Sequence, residues 1–341
     1  MTMHDLQAPD FQPDVSFVIA AYNAEETLAR AIDSALAQIG VTLEVIVVDD
    51  CSTDGTRAIA EGHSDHRVRL IAQAVNGGPA AARNAGLAAA RGRWVAILDS
   101  DDSIYPTRLL SVLERAEDAQ AQIIVDNLDV IPFDAGEPYE MFSKEALRQR
   151  SMMTLADFIS SNVIFQSTFN FGYMKPIFER AFLVEHGLRF DEALRVGEDY
   201  LLLASALASG ARCAIVPEIG YVYHLRQGSI SRVLEQSHLD AMLASDSAFL
   251  ARYKLDAKAS TAQRRRTRSI LEAGSFLTLV GEIKKGSVGG FLKTAIENPR
   301  ALRLLRMPIA VRMRRLVKRP TSTENPINRA GAPSERTKEW T

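Results

Sequence analysis

Short apolar runs alternate with longer segments of mixed character over the first 130 residues. Val15 to Ala21 is an unbroken β-prone run, and residues 24–38 then show helical spacing through Leu28, Ile32, Ala35 and Leu36. Residues 44–48 predict a second strand, ended by Asp49-Asp50-Cys51-Ser52-Thr53-Asp54-Gly55, which is rich in turn and helix-cap residues. A helix begins at Thr56, a third strand covers Val68 to Ala72, and Asn76-Gly77-Gly78-Pro79 is a loop. Residues 80–90 form an alanine-rich helix carrying Arg83 and Asn84, and residues 94–98 a fourth strand. Apolar strands without alternation, separated by helices, predict a doubly wound, mostly parallel α/β sheet covered on both faces. Such sheets bind ligands beyond the carboxyl ends of their strands. Tyr22 and Asn23, Asp49 and Asp50, and Asp99 to Asp102 all fall at those ends.

The pattern changes further along. Ile123 to Ile131 predicts one more strand, residues 155–160 a helix, and residues 165–178 are rich in aromatics. Glu198-Asp199 opens a strongly apolar helix reaching Ala208, and residues 214–217 and 220–223 resemble two short strands. After Glu235 the chain reads as helical and increasingly basic. The organisation expected is an N-terminal tail (1–13), a catalytic domain (14–235) with a nucleotide-binding half (14–131) and an acceptor half (132–235), a basic helical extension (236–319) and a disordered tail (320–341).

Composition sharpens this picture. The net charge of −2 conceals an asymmetry, because residues 264–319 hold fifteen Lys and Arg against three Asp and Glu. Basic residues interleaved with Leu, Ile, Val and Met point to amphipathic helices on an anionic membrane surface, and no nucleic-acid motif accompanies them. Two cysteines, no secretory leader and no apolar run of membrane-spanning length suggest a cytoplasmic protein, peripheral on the inner face of the membrane.

Asp99, Asp101 and Asp102 place three carboxylates within four positions at the end of a buried strand. A divalent cation offsets their repulsion, and Mg²⁺ or Mn²⁺ completed by phosphate oxygens suits this set better than a closed calcium cage. Alone, such a triplet is more often a solvated turn. Its setting decides otherwise. Residues 15–23, then Asp49 to Thr56, then Asn76-Gly77-Gly78 with Ala82-Arg83-Asn84-Ala85-Gly86, then Leu98-Asp99-Ser100-Asp101-Asp102, resemble in order and spacing the family 2 glycosyltransferases of GT-A fold. The opening, residues 14–28, is similar to succinoglycan-type glucosyltransferases of bacterial exopolysaccharide assembly.

The resemblance implies a role for each matched residue. Ala20, Tyr22 and Asn23 would line the nucleoside pocket, and Asp50 would accept a hydrogen bond from the uracil imide. Arg83 would lie near the pyrophosphate, Asp99 would contact the ribose or support its loop, and Asp101 would coordinate the metal with Asp102 beside it. Asp199, in an acidic pair that would otherwise merely complement a helix dipole, would be the general base. His224 or Arg226, in the closing segment Tyr221 to Ser231, would touch the diphosphate or metal. Phe169, Phe171, Tyr173 and Phe178 are candidates for an acceptor-stacking platform. The implied activity is inverting transfer of a hexose, glucose from a UDP-sugar donor, to a lipid-linked oligosaccharide acceptor. A sugar-1-phosphate nucleotidyltransferase and a non-catalytic nucleotide-sugar-binding protein are the alternatives. The first lacks its expected Gly-rich basic loop in residues 20–26, and the second would not require Asp199.

Overall fold

The run Val15–Ala21 forms β1, a central strand in the computed structural model, which describes residues 12–133, 136–166, 169–226 and 234–306. β1 pairs in parallel with β2 (Leu43–Asp49), which carries β3 (Val68–Ala72) on its far side. The other edge of β1 pairs in parallel with β4 (Trp94–Ile97). Helices α1 (Leu28–Leu36), α2 (Thr56–Glu61) and α3 (Pro79–Ala89) connect these strands. All of β2 and every residue of β1 except Ala20 are buried, which is why these runs show no polar alternation. The doubly wound expectation holds in this half.

The sheet continues as a mixed one. Beyond β4, the short β5 (Ser103–Ile104) and helix α4 (Arg108–Ala119) lead to β6 (Ile123–Ile131). β7 (Tyr139–Glu140), α5 (Lys144–Arg148), β8 (Met152–Met153) and α6 (Leu155–Ser161) precede β9 (Ile177–Glu179), α7 (Arg180–Glu185), α8 (Glu198–Ala208) and β10 (Cys213–His224). The order is β3-β2-β1-β4-β9-β6-β10-β5, with β9 antiparallel to both neighbours and β6 parallel to β10.

Two elements differ from the sequence pattern for identifiable reasons. α1 begins at Leu28 rather than near Ala24 because the Ala24 N–H donates to Thr56 Oγ1 at 2.7 Å and the Glu25 N–H to Asp54 Oδ2 at 3.2 Å. Those amides are engaged by the turn after β2. The two short strands expected at residues 214–223 are one strand, β10, whose pairing with β6 shifts register around Ile219. At that bulge, Gly220 makes room for the buried pair Arg108–Asp126, and a Cβ there would overlap Asp126 Oδ2.

C-terminal to the sheet, α9 (Gln236–Arg252), α10 (Ala257–Lys285), α11 (Val288–Glu297) and a 3₁₀ segment (Pro299–Leu305) follow. Phe249, Ala259 and Ala262 join the main hydrophobic core, so α9 and α10 are built into the fold. Arg266, read from the sequence as part of a basic surface, turns inward instead. Its guanidinium stacks 3.6 Å from the Tyr200 ring centroid, pairs with Asp246 at 3.2 Å and donates to the Asn162 carbonyl at 3.0 Å. Helical spacing explains this, since Gln263, Arg266, Ile270 and Ala273 share the buried face of α10. Among the described residues no helix is long and apolar enough to cross a membrane. Residues 1–11, the Gln227 to Ser231 part of the closing segment and everything after Arg306, including the expected disordered tail, lie outside the described residues.

α3 lies so close to β1 that a Cβ at Gly86 would overlap Val18 Cγ1. Gly86→Ala is therefore expected to destabilise the protein by about 1–3 kcal/mol through overpacking, read as a lower urea midpoint; an unchanged midpoint contradicts this packing.

Candidate active site

The carboxyl ends of β1 and β4, the approach to β9, the start of α8 and the end of β10 enclose a cleft of about 600 Å³. Tyr22, Arg83, Asp99, Asp101, Asp199 and Arg226 all line it, together with Tyr173, Lys175, Arg195 and Tyr223. Residues separated by up to two hundred positions meet here. Ala20, Asn23, Asp50 and Asp102, also expected at the site, do not line this cleft.

At its floor is an ion web. Arg83 Nη1 donates to Glu198 Oε1 at 2.8 Å and Asp199 Oδ1 at 3.1 Å, while Nη2 donates to Asp99 Oδ1 at 2.9 Å. Lys175 Nζ lies 2.6 Å from Asp99 Oδ2 and 3.9 Å from Asp199 Oδ2. Burial alone would push the Asp99 carboxyl up, but Lys175 and Arg83 hold it well below the usual carboxylate range. Burial, with Asp199 beside it, raises Glu198 against the pull of Arg83. For Lys175 burial acts downward, and Asp99 and Asp199 outweigh it, so the ammonium stays charged. Arg83 Nε is buried without a hydrogen-bond partner among the described residues.

The acidic cluster divides its labour. Asp99, Asp101 and Asp102 bring one oxygen each within 4.8 Å of one another. Asp102 is almost fully buried, accepting from Tyr221 Oη at 2.8 Å and the His224 N–H at 2.9 Å, and burial with its two acidic neighbours raises its pKa well above the ordinary value. His224 is lowered to about 4 by burial and by Arg30 and Arg226, and its Nε2 sits 3.2 Å from Ser103 Oγ. Asp101 reaches the cleft, while its backbone carbonyl accepts from Arg30. Its carboxyl is raised by burial and by Asp99, which outweigh the opposing pull of Arg226 and Lys175. Asp99 and Asp101 both reach the cleft, but Asp99 is already paired with Arg83 and Lys175, so Asp101 is the carboxylate left to meet Mg²⁺ or Mn²⁺ completed by phosphate oxygens; the set does not make a closed all-protein cage.

The residues expected on the nucleoside side serve the backbone. Asp50 accepts the Gly77 and Gly78 amides at 2.8 Å each, and Asn23, at φ +48°, accepts the Thr53 N–H at 2.9 Å. Each Asp50 oxygen keeps a second lone pair for a ligand donor. Ala20 remains paired with Val48 inside the sheet. Of the aromatics expected on a platform, Phe178 is instead a core residue of β9 at 1% exposure, and Phe171 packs on Phe142 with centroids 5.6 Å apart. β9 lies between β4 and β6 with both faces covered, so Ile177 and Phe178 are buried on opposite sides of the sheet. Tyr173 reaches the cleft, edge-on to Tyr223 at 5.8 Å and to Phe169 at 5.3 Å.

Comparison with known proteins decides the class. The model of the family "Glycosyl transferase family 2" matches residues 16–182. The chain is 60% identical over 312 residues to the succinoglycan biosynthesis protein ExoO of Rhizobium meliloti (strain 1021), covering 92% of this chain and 89% of that one. The chain is a family 2 glycosyltransferase. The succinoglycan biosynthesis protein ExoU of the same organism is 36% identical over 297 residues, 85% of this transferase and 84% of ExoU. In fold the transferase is similar to S. aureus TarS residues 1–349, solved in complex with UDP-GlcNAc, with a TM-score of 0.61 at 19% identity over 84% of this chain and 91% of that one.

Sequence patterns missed Lys175. It is a lone lysine in an aromatic stretch, and nothing local shows that it turns toward Asp99, 76 positions earlier. Its backbone is placed by a second buried pair. Arg108 binds Asp126 through two contacts of 2.8 Å and, through Nη2, also donates to the Lys175 carbonyl at 2.9 Å. The role of Glu198 as a partner of Arg83 was likewise invisible before the fold joined α3 to α8.

Two outcomes follow from this electrostatic arrangement. Because the folded pKa of Asp101 lies above its ordinary 3.8, its contribution to stability is fully present below that pH and is lost as pH rises through the folded value. At neutral pH the metal-free Asp101→Asn transferase should therefore melt higher than wild type, yet lose the rise in Tm that Mn²⁺ gives wild type; an equal Mn²⁺ shift in both removes Asp101 from the metal site. Lys175→Met, which deletes a charged hydrogen bond to Asp99, should cost about 1.5–3 kcal/mol in urea unfolding, with Lys175→Arg recovering part of it. Wild-type stability in the methionine variant would count against the ion web.

Proposed function

We propose that the enzyme transfers glucose from UDP-glucose, with inversion to a β-linkage, onto a lipid-linked oligosaccharide during assembly of a succinoglycan-type exopolysaccharide. The observation that carries this reading is the meeting of Asp199 and Asp101 in one cleft, a carboxylate suited to a base and another suited to a metal. The likeness to ExoO and ExoU supports the pathway, and the nucleotide sugar bound by TarS supports the donor class.

Asp199 takes the proton of the acceptor hydroxyl as that oxygen bonds to the anomeric carbon and the nucleoside diphosphate leaves with the electrons of the C–O bond. Arg83 and Lys175 hold Asp199 in place and keep Asp99 charged. Asp101, with Asp102 behind it, would hold Mg²⁺ or Mn²⁺, which would supply positive charge to the diphosphate. Arg83 and Arg226 add fixed cations on the same side. Asp50 and the segment Ala20 to Asn23 receive the uridine, and Tyr173 faces the acceptor. The enzyme works at the cytoplasmic membrane face, where its acceptor lipid resides.

Incubation with Mn²⁺ and a panel of UDP- and GDP-sugars, with and without lipid-linked acceptors, tests this by the nucleoside diphosphate released. Release should be greatest with UDP-glucose plus acceptor, and Asp199→Asn should slow it by about 10²- to 10⁴-fold. An undiminished rate in that variant dismisses Asp199 as the base, and release of pyrophosphate instead would identify a nucleotidyltransferase.

A further inference from the structure

We propose that α11, with the end of α10, is a docking element for an anionic lipid surface. An ordinary surface helix turns its apolar stripe inward and its polar face to water. α11 does not. Its partly buried positions, Gly290, Phe291, Thr294 and Ala295, face the rest of the protein, and none of its residues is fully buried. Outward stand Val288, Leu292 and Ile296, exposed at 71%, 52% and 79%. Four-residue spacing sets these three in one stripe about 12 Å long. Ile283, at the end of α10, adds a fourth exposed apolar residue.

The stripe is held in place. Ser287 caps the helix through Gly290 N at 3.2 Å, Asn298 Nδ2 donates to Ser275 Oγ on α10 at 2.9 Å, and Ala301 beyond it is fully buried. This order counts against a loosely attached segment whose apolar side chains are exposed by chance.

Charge selects the occupant. Residues 283–306 carry six basic residues, Lys284, Lys285, Lys293, Arg300, Arg303 and Arg306, against Glu297 as the sole acid. All six are exposed. Protein interfaces are depleted in lysine at their cores, and a second copy of this face would oppose cations to cations. A bilayer with anionic headgroups satisfies both features at once, taking the apolar tips into its interface and the cations at its surface. Arg266 on the same rigid helix, α10, lines the catalytic cleft, so docking through α11 also fixes the cleft relative to the lipid.

The test uses the full chain and vesicles alone, so it can fail while the transferase reading stands. Sedimentation with vesicles of equal parts phosphatidylglycerol and phosphatidylcholine at low salt should exceed that with phosphatidylcholine alone by roughly tenfold or more, and salt should weaken it. The variant Val288→Ser, Leu292→Ser, Ile296→Ser should lose about tenfold in binding, and Lys284→Glu, Lys285→Glu, Lys293→Glu at least as much. Both should keep the wild-type rate of nucleoside diphosphate release without lipid. No wild-type binding at low salt, or undiminished binding by the serine variant, overturns the proposal. So does a wild-type dimer that the serine variant converts to monomer without any vesicle binding, which assigns the face to self-association.

Discussion

Arg83 is the interaction on which the site depends. Its guanidinium, almost removed from water, meets carboxylates from two distant elements, Asp99 after β4 and Glu198 and Asp199 at the start of α8. Burial there opposes every charge. Arg83 and Lys175 offset it at Asp99, which is held ionised, and the surrounding acids keep both buried cations charged. The web is also mechanical, because it ties α3 and the loop after β4 to the helix that carries Asp199. The close approach of α3 to β1 at Gly86 brings Arg83 within reach.

A second buried pair supports the first. Arg108 and Asp126, with side chains essentially inaccessible, lie beside the β10 bulge and hold the Lys175 carbonyl. A buried ion pair contributes little net stability when compared with apolar residues of the same volume, but losing one partner leaves an uncompensated charge. Its evident product here is position. It locates the lysine that completes the Asp99 pairing, and it makes glycine necessary at position 220. The site therefore rests on core contacts as well as on its lining.

The acidic cluster shows how one motif can divide into different environments. Asp99 faces cations, Asp102 faces Tyr221 and a backbone amide, and Asp101 faces the cleft. Their protonation follows: Asp99 is driven down, whereas Asp101 and Asp102 are pushed up. On the far side of the cleft, Arg266 stacked on Tyr200 joins α10 to α8, so the C-terminal helices contribute to the lining.

The sequence by itself determined the parallel half of the sheet, because strands buried on both faces are apolar at most positions, with Ser16 and Glu44 buried as a hydrogen-bonded pair at 2.7 Å, and their turns are polar. It also marked the strand ends where polar residues gather, and its ordered motifs named six residues that the fold gathers in one cleft. Tertiary structure decided the rest. Lys175, Glu198 and the Arg108–Asp126 pair act across gaps of 18 to 115 residues, and no local periodicity records such contacts. The same holds for the inward turn of Arg266 and the outward apolar stripe of α11. Whether a side chain meets water, a carboxylate or an aromatic ring depends on what packs opposite it, and only the folded chain brings those partners together.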